Sequence, residues 1–260
     1  MPETPEPSIL TSRDGHVAII ELNRPAHNFF DLQMISEIAD ALDQLQEDKR
    51  CRAVLLQAGG SAFCAGADFS KPNASRQAQS ATRINPIYQE ALRIFSFGKP
   101  IVAAIEGPAV GGGLGLALTA DFRVSCVEAR FSANFNRLGF HPGFALSYTL
   151  PALIGRQMAS WMLYTGARVD GARAQEMGLV DFIVPKPEVR TAGLALARDI
   201  ATSAPRAVQS TRQTLQADSL SHIRNAISRE SAQQSVQFAA ADMKEGVKAM
   251  AERRAPVFED

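Results

Sequence analysis

A chain of 260 residues with 46% hydrophobic and 21% charged content is long enough to bury a sizeable core and too apolar to be disordered as a whole. Its 27 basic residues balance 27 acidic ones, which leaves no net field to attract nucleic acid or an anionic membrane, and neither is expected as a partner. Cys51, Cys64 and Cys126 are scattered, forming no disulfide framework and no metal spacing, which points to a reducing compartment, the cytoplasm.

Residues 1–7 are Pro-rich and are expected to form a disordered tail, with neither the basic region nor the apolar run of a leader. No later stretch reads as apolar enough to span a bilayer. Ser8–Arg13 and Val17–Asn23 favour extended structure on either side of Asp14-Gly15, the signature of a β-hairpin. Asp31 is placed to cap a helix whose Met34, Ile35, Ile38, Ala41, Leu42 and Leu45 form one apolar stripe. Cys51–Gln57 follows as a short buried strand, then a loop carrying Phe63-Cys-Ala-Gly-Ala-Asp-Phe69. Ser70–Thr82 is polar and rich in small residues, which predicts a mobile segment before a helix near Ile84–Phe97.

Lys99-Pro100 punctuates the entry to an apolar strand, Ile101–Ile105, that runs through a glycine cluster into an apolar helix. Phe122–Cys126, a short piece around Phe131, and Phe182–Val184 read as further strands. From Lys186 onward the pattern is helical, so the chain divides into an α/β core over 8–185 and a helical region over 186–260. The modest apolar stripes of that region need a surface to cover them, either the core or a neighbouring subunit.

The cluster itself reads Gly107-Pro-Ala-Val-Gly-Gly-Gly-Leu-Gly-Leu116. The first N–H groups of a helix have no internal partner, and glycine lets a ligand approach the main chain, so an oxygen carrying negative charge is a natural guest. Close packing of a buried helix would also call for glycines. Two phosphate motifs fail: the dinucleotide fingerprint finds Leu116 at its third glycine, and a P-loop from Gly107 finds Gly113 and Leu114 where Lys and Ser or Thr belong. The four histidines, His16, His27, His141 and His222, are too dispersed for a local zinc pair, and no Gly-x-Ser-x-Gly elbow occurs. No metal site is expected.

Five segments agree in order and spacing with one family: Leu22-Asn-Arg-Pro25, Phe63-Cys-Ala-Gly-Ala-Asp68, Gly107–Leu116, Phe131–Gly143, and Asp242–Val247 with Glu252–Phe258. Together they resemble the enoyl-CoA hydratase/isomerase, or crotonase, superfamily. The resemblance implies an α/β fold of repeated β-β-α units wound into a spiral, with a helical C-terminal region that drives assembly into a homotrimer or a dimer of trimers. It implies an acyl-CoA thioester as ligand, with coenzyme A entering only as part of the substrate and no separate cofactor. Two backbone N–H groups then grip the thioester oxygen, and the matching positions are Ala67 and Gly112. The same resemblance puts CoA along Ala65, Ala67, Asp68, Phe69 and Ser70, with Arg24 near its phosphates. Arg24 could equally be a cation in a surface turn, and Asp68 either a catalytic carboxylate or a ligand of loop backbone.

The chain departs from the pattern where proton transfer belongs. Typical hydratases place two glutamates about a water, and the matching positions here are Gly115 and Phe135, which transfer no protons. The position of the aromatic-CoA dehalogenases' aspartate is Gly143. The naphthoate-synthase branch has an aspartate near His141, which makes this histidine the candidate proton carrier, although a histidine before proline also serves as a loop hydrogen-bonder. Asn134 and Asn136 are weaker candidates for orienting a water or a carbonyl. Phe131, Phe135, Phe140 and Phe144 line an acyl channel or fill the core, with at least half of them expected in the core. Two functions remain: a lyase or isomerase of non-standard chemistry, and a catalytically silent acyl-CoA carrier or sensor.

Overall fold

The computed structural model describes residues 7–69 and 84–259. Strands β1 (Ile9–Asp14) and β2 (Val17–Leu22) form the hairpin, in register from Ile9↔Leu22 to Asp14↔Val17, and Gly15 takes the left-handed φ of 54° that the turn needs. Helix α1 (Leu32–Glu47) starts where Asp31 accepts the Met34 N–H at 3.0 Å, and it buries Met34, Ile35, Ile38, Ala39 and Leu42. Strand β3 (Ala53–Ala58) follows, then helix α2 (Pro86–Phe95), which Asn85 caps by accepting the Ile87 N–H.

Strand β4 (Ile101–Ile105) is buried along its whole length, as a central parallel strand covered on both faces should be. With β6 (Phe122–Ser125) and β9 (Phe182–Ile183) it completes a six-stranded sheet in the order β1-β2-β3-β4-β6-β9, parallel except for the hairpin. A second, three-stranded sheet pairs β5 (Ala109–Val110), β7 (Arg130–Ser132) and β8 (Arg168–Asp170) in that order. Helix α3 (Gly112–Ala117) leaves β5 directly.

Helix α4 (Leu146–Thr165), strand β8 and helix α5 (Gly171–Glu176) are elements that residue patterning did not reveal. Pro151 lies inside α4, and Gly155, at φ 76°, breaks it into two pieces, so no single apolar period runs through the segment. Helix α6 (Val189–Thr202) crosses the large sheet, where a side chain at Gly193 would meet Leu55 Cδ1 at 3.1 Å and Ala104 Cβ at 3.3 Å. Helices α7 (Pro205–Leu215), α8 (Ser219–Gln237) and α9 (Ala241–Ala251) complete the C-terminal region. Helix α9 presses its backbone on the turn at 136–138, since a Cβ at Gly246 would lie 2.5 Å from the Leu138 carbonyl carbon. Among the described residues no helix is long and apolar enough to cross a membrane.

The expected disordered tail falls almost wholly on residues 1–6, and the expected mobile segment Ser70–Thr82 falls wholly on 70–83. Both lie outside the described residues.

Candidate active site

Residues 64–67 lie between two other stretches of backbone, and that insertion builds the site. On one side Ala65 N–H donates to His27 O and Phe30 N–H to Gly66 O, both at 3.0 Å. On the other, Cys64 N–H donates to Pro108 O at 3.1 Å and Cys64 O accepts from Val110 N–H at 3.0 Å. Asn28 pins this arrangement from below. Fully buried and at φ 48°, it donates to Gly59 O (2.6 Å) and Ala62 O (2.8 Å), and accepts the Arg24 N–H at 2.8 Å. Asn28→Ala should therefore cost about 2 kcal/mol, because three hydrogen bonds vanish and buried carbonyls are left without donors. A urea-denaturation midpoint unchanged from that of the parent would show that the pin carries no load.

Across the gap, α3 starts at Gly112. Gly111, at φ 56°, spends its own N–H on Ser132 O (2.8 Å), and the N–H groups of Leu114 and Gly115 return to Gly111 O. Among the described residues, the N–H of Gly112 and the N–H of Ala67 have no acceptor. Both residues line one cavity of about 510 Å³, within the size range of small-molecule sites. The two walls are close: an added Cβ at Gly66 would sit 3.7 Å from the Gly112 nitrogen and 2.9 Å from Val110 O. Packing also demands these glycines, since a Cβ at Gly112 would fall 2.4 Å from the Phe30 ring and one at Gly113 only 2.0 Å from Cys64 O.

Aromatic rings make up much of the remaining wall. Phe140 contacts Phe69, Phe135 and Phe238 with ring centroids 5.5, 5.7 and 5.0 Å apart, and Phe29, Phe30 and Tyr88 add to the lining. Phe131 and Phe144 are instead wholly buried. Phe144 occupies the space beside Gly115, where an added Cβ would lie 2.6 Å from its own Cβ.

Among the described residues, the acidic, basic and phenolic liners of the cavity are Asp68, Tyr88 and Arg168. Burial pushes the Tyr88 phenol up, so it stays a neutral hydroxyl and donates to Gln234 Oε1 at 2.8 Å. Burial likewise pushes the Cys64 thiol up to about 12, which leaves it a packing group and not a nucleophile at neutral pH.

The structure brings Ala65, Ala67, Asp68, Phe69 and Gly112 to this cavity, while Ser70 lies outside the described residues. Arg24 is not among the lining residues. Its guanidinium pairs with Asp31 at 2.8 Å and donates to Ser8 Oγ at 2.7 Å, holding the entry to α1. His141 is not brought there either. It lines a separate hollow with Gly139, Gln237 and Asp242, and its Nδ1 lies 2.8 Å from its neighbour's carbonyl, Pro142 O. Two glutamines of α8 fix that placement: Gln237 Oε1 accepts the His141 N–H at 2.7 Å, and Gln234 Nε2 donates to His141 O at 2.8 Å. Asn134 lines the main cavity and Asn136 the hollow.

Sequence patterning passed over Tyr88, Arg168 and Glu230. The buried Glu230 carboxylate, on α8, accepts from Ala145 N–H (2.8 Å), Ser147 N–H (2.9 Å) and Ser147 Oγ (2.6 Å), so it ties down the start of α4 directly after Phe144.

The profile of the enoyl-CoA hydratase/isomerase family matches residues 12–260. Enoyl-CoA hydratase domain-containing protein 2, mitochondrial, of Mus musculus is 32% identical over 263 aligned residues, covering 98% of this chain and 89% of that protein. The (E)-benzylidenesuccinyl-CoA hydratase of Thauera aromatica is 34% identical over 246, covering 94% and 96%. A crystal structure of an enoyl-CoA hydratase/isomerase from Pseudoalteromonas atlantica T6c is similar with a TM-score of 0.88 at 29% identity, covering 97% of this chain and 100% of that one.

Proposed function

Because the chain belongs to the enoyl-CoA hydratase/isomerase family and has its crotonase-like α/β fold, we propose that it binds an acyl-CoA thioester and stabilises the enolate with the N–H groups of Ala67 and Gly112. The observation that carries this reading is that two amides without acceptors among the described residues line the same aromatic-walled cavity. Removing a proton beside a thioester, or adding a nucleophile to its conjugated double bond, moves charge onto the carbonyl oxygen. Preorganised donors aimed at that oxygen lower the barrier by about 3 kcal/mol each, because a dry site does not screen them.

The reaction is a lyase or isomerase step of non-standard type and not two-glutamate hydration. At the positions where the resemblance calls for glutamates, Phe135 presents a ring to the cavity and Gly115 is closed off by Phe144. Water has no pair of carboxylates there to hold and ionise it. Asp68, Asn134 and Arg168 are among the wall groups able to exchange hydrogen bonds with an acyl group, the Tyr88 hydroxyl is held by Gln234, and His141 is given no proton-transfer role. The same departure supports a second reading, a silent carrier or sensor that polarises the thioester and transfers no proton.

Coenzyme A itself would lie along Ala65–Ser70, with no cofactor beyond the substrate. Exposed Leu215, Val236 and Val257 in the C-terminal region support assembly into a trimer or a dimer of trimers. Three buried free cysteines accord with a cytoplasmic location.

Cinnamoyl-CoA tests the donors without turnover, because polarising its carbonyl should move its conjugated absorption to longer wavelength on binding. Binding with an unmoved spectrum would remove the two amides from the account. Crotonyl-CoA hydration should run roughly a thousandfold below that of a two-glutamate enzyme, and a rate near such an enzyme's would overturn the reading of positions 115 and 135. Exchange of the α-proton of a saturated acyl-CoA in D2O separates an enzyme, which exchanges it, from a sensor, which does not.

A further inference from the structure

Arg168 is the one cation among the described residues that line the cavity, and its side chain has no hydrogen bond or ion pair among them. Other arginines beside clefts and helices are engaged: Arg93 pairs with Asp40 at 2.7 Å, Arg212 with Asp121 at 2.9 Å, and Arg190 with Glu106 at 2.8 Å. An exposed guanidinium on the lining of an aromatic cavity, with no carboxylate of its own among the described residues, is available to take a planar anion in a forked pair.

Its position within the site indicates which anion. Residues 64–67 adjoin β5 through the Cys64↔Ala109 bridge, β5 adjoins β7, and β7 adjoins β8 with Ser132 opposite Arg168. Three strand spacings therefore separate Arg168 from the loop that bears Ala67, about 14 Å. A Cβ at Gly166 would lie 2.7 Å from Arg137 Cγ and 3.3 Å from Asn134 Cα, so the turn leading into β8 packs on the 134–137 stretch, whose Asn134 and Phe135 line the cavity. With CoA along Ala65–Ser70, as proposed above, this wall is the end left for the acyl group.

We infer that Arg168 selects acyl-CoA substrates that carry a carboxylate at the end of the acyl group remote from the thioester. The inference rests on the acyl-CoA reading above and adds the substrate class. The aromatic stretch between the amides and Arg168 would hold a short chain or an aryl ring, and the guanidinium would receive the charge beyond it. A neutral acyl-CoA would occupy the same stretch and leave the cation unanswered.

The test is calorimetric titration with thioesters matched in length that end in a carboxylate or a methyl group. Glutaryl-CoA against valeryl-CoA and pimeloyl-CoA against heptanoyl-CoA make two pairs, and terephthaloyl mono-CoA against p-toluoyl-CoA an aryl pair. In at least one pair the wild-type protein should favour the acid by roughly tenfold to a hundredfold, the worth of a charged hydrogen bond. Arg168→Gln should erase that ratio while leaving methyl-ended affinities within about twofold, and Arg168→Lys should keep part of it. Equal weakening of both members would mean that the guanidinium holds a CoA phosphate, and would overturn the inference, as would an unchanged ratio or no preference in any pair. Failure of every thioester to bind overturns the acyl-CoA reading and this inference together, whereas binding without preference overturns this inference alone.

Discussion

Gly115→Ala is expected to destabilise the protein by about 3 kcal/mol, although alanine in a helix interior ordinarily gains about 1 kcal/mol over glycine. The sign reverses because the new methyl group would sit 2.6 Å from Phe144 Cβ, 2.9 Å from its Cγ and 3.0 Å from its Cδ1, with no flexible chain end to move aside. Phe144 is fully buried and at φ 60°, a conformation that glycine accepts at no steric cost. Phe144→Gly on its own should cost about 3 kcal/mol, the loss of a buried ring offset in part by relief of the backbone. Made together, the two should cost hardly more than Phe144→Gly alone, a coupling close to the whole penalty of the first. Urea denaturation of the four proteins measures this, and strictly additive penalties would show that Phe144 does not fill the place beside Gly115.

That coupling bears on function as well as stability. A glutamate side chain at 115 would need the space that Phe144 holds. Phe144 fills that space, its ring centroid 5.8 Å from that of Phe30 in a tilted contact and 6.4 Å from that of Tyr88 edge to face, two rings of the cavity wall. The cavity beside the two amides is accordingly apolar, which strengthens any charge interaction made inside it.

Local chemistry was legible where a single turn or cap decides the structure. Asp14-Gly15 made the hairpin readable because the turn requires a positive φ at Gly15, and Asp31 marked the start of α1 because its carboxylate takes the Met34 N–H. Ala67 and Gly112 were singled out by the resemblance, and the structure puts both on one cavity because backbone hydrogen bonds, not side-chain directions, position them. The direction of a side chain is different. His141 stands one residue from Phe140, a liner, yet Gln234 and Gln237, more than 90 residues on, hold its backbone so that the ring faces another hollow. Arg24 is similar: its pairing with Asp31, the cap of α1, depends on where the chain returns seven residues later. Strands β5 and β8 have two and three residues, too few for any period, and Arg168 was passed over with the strand that carries it.

Glu230 illustrates the same limit most strongly, and its removal is expected to have a comparable effect. Glu230→Ala should cost about 3 to 4 kcal/mol, because the N–H groups of Ala145 and Ser147 and the Ser147 hydroxyl lose their acceptor in a buried place. Burial raises the carboxyl above its ordinary 4.5, opposed by the Ser147 and Ala145 donors and by the charge of His141. The folded protein therefore keeps this proton at a pH where the unfolded chain has already lost it. Stability from this group is fully present below its ordinary 4.5 and is lost as pH rises through the raised folded value. The neutral acid can hold the same contacts by donating its own O–H to Ser147 Oγ and accepting the two N–H groups. Glu230→Gln has no such freedom, since its NH2 must face a donor, and it should cost about 1 to 2 kcal/mol with a flatter dependence on pH. Denaturation midpoints of the three proteins from pH 4 to 8 read both effects. If the alanine variant stays within 0.5 kcal/mol of the parent by the usual surface-substitution scatter, or the parent gains stability relative to the glutamine variant as pH rises, then the carboxyl does not hold the start of α4 in this way. Loss of that hold should also loosen Phe144, one residue before Ala145, and through it the wall against which the acyl group would lie.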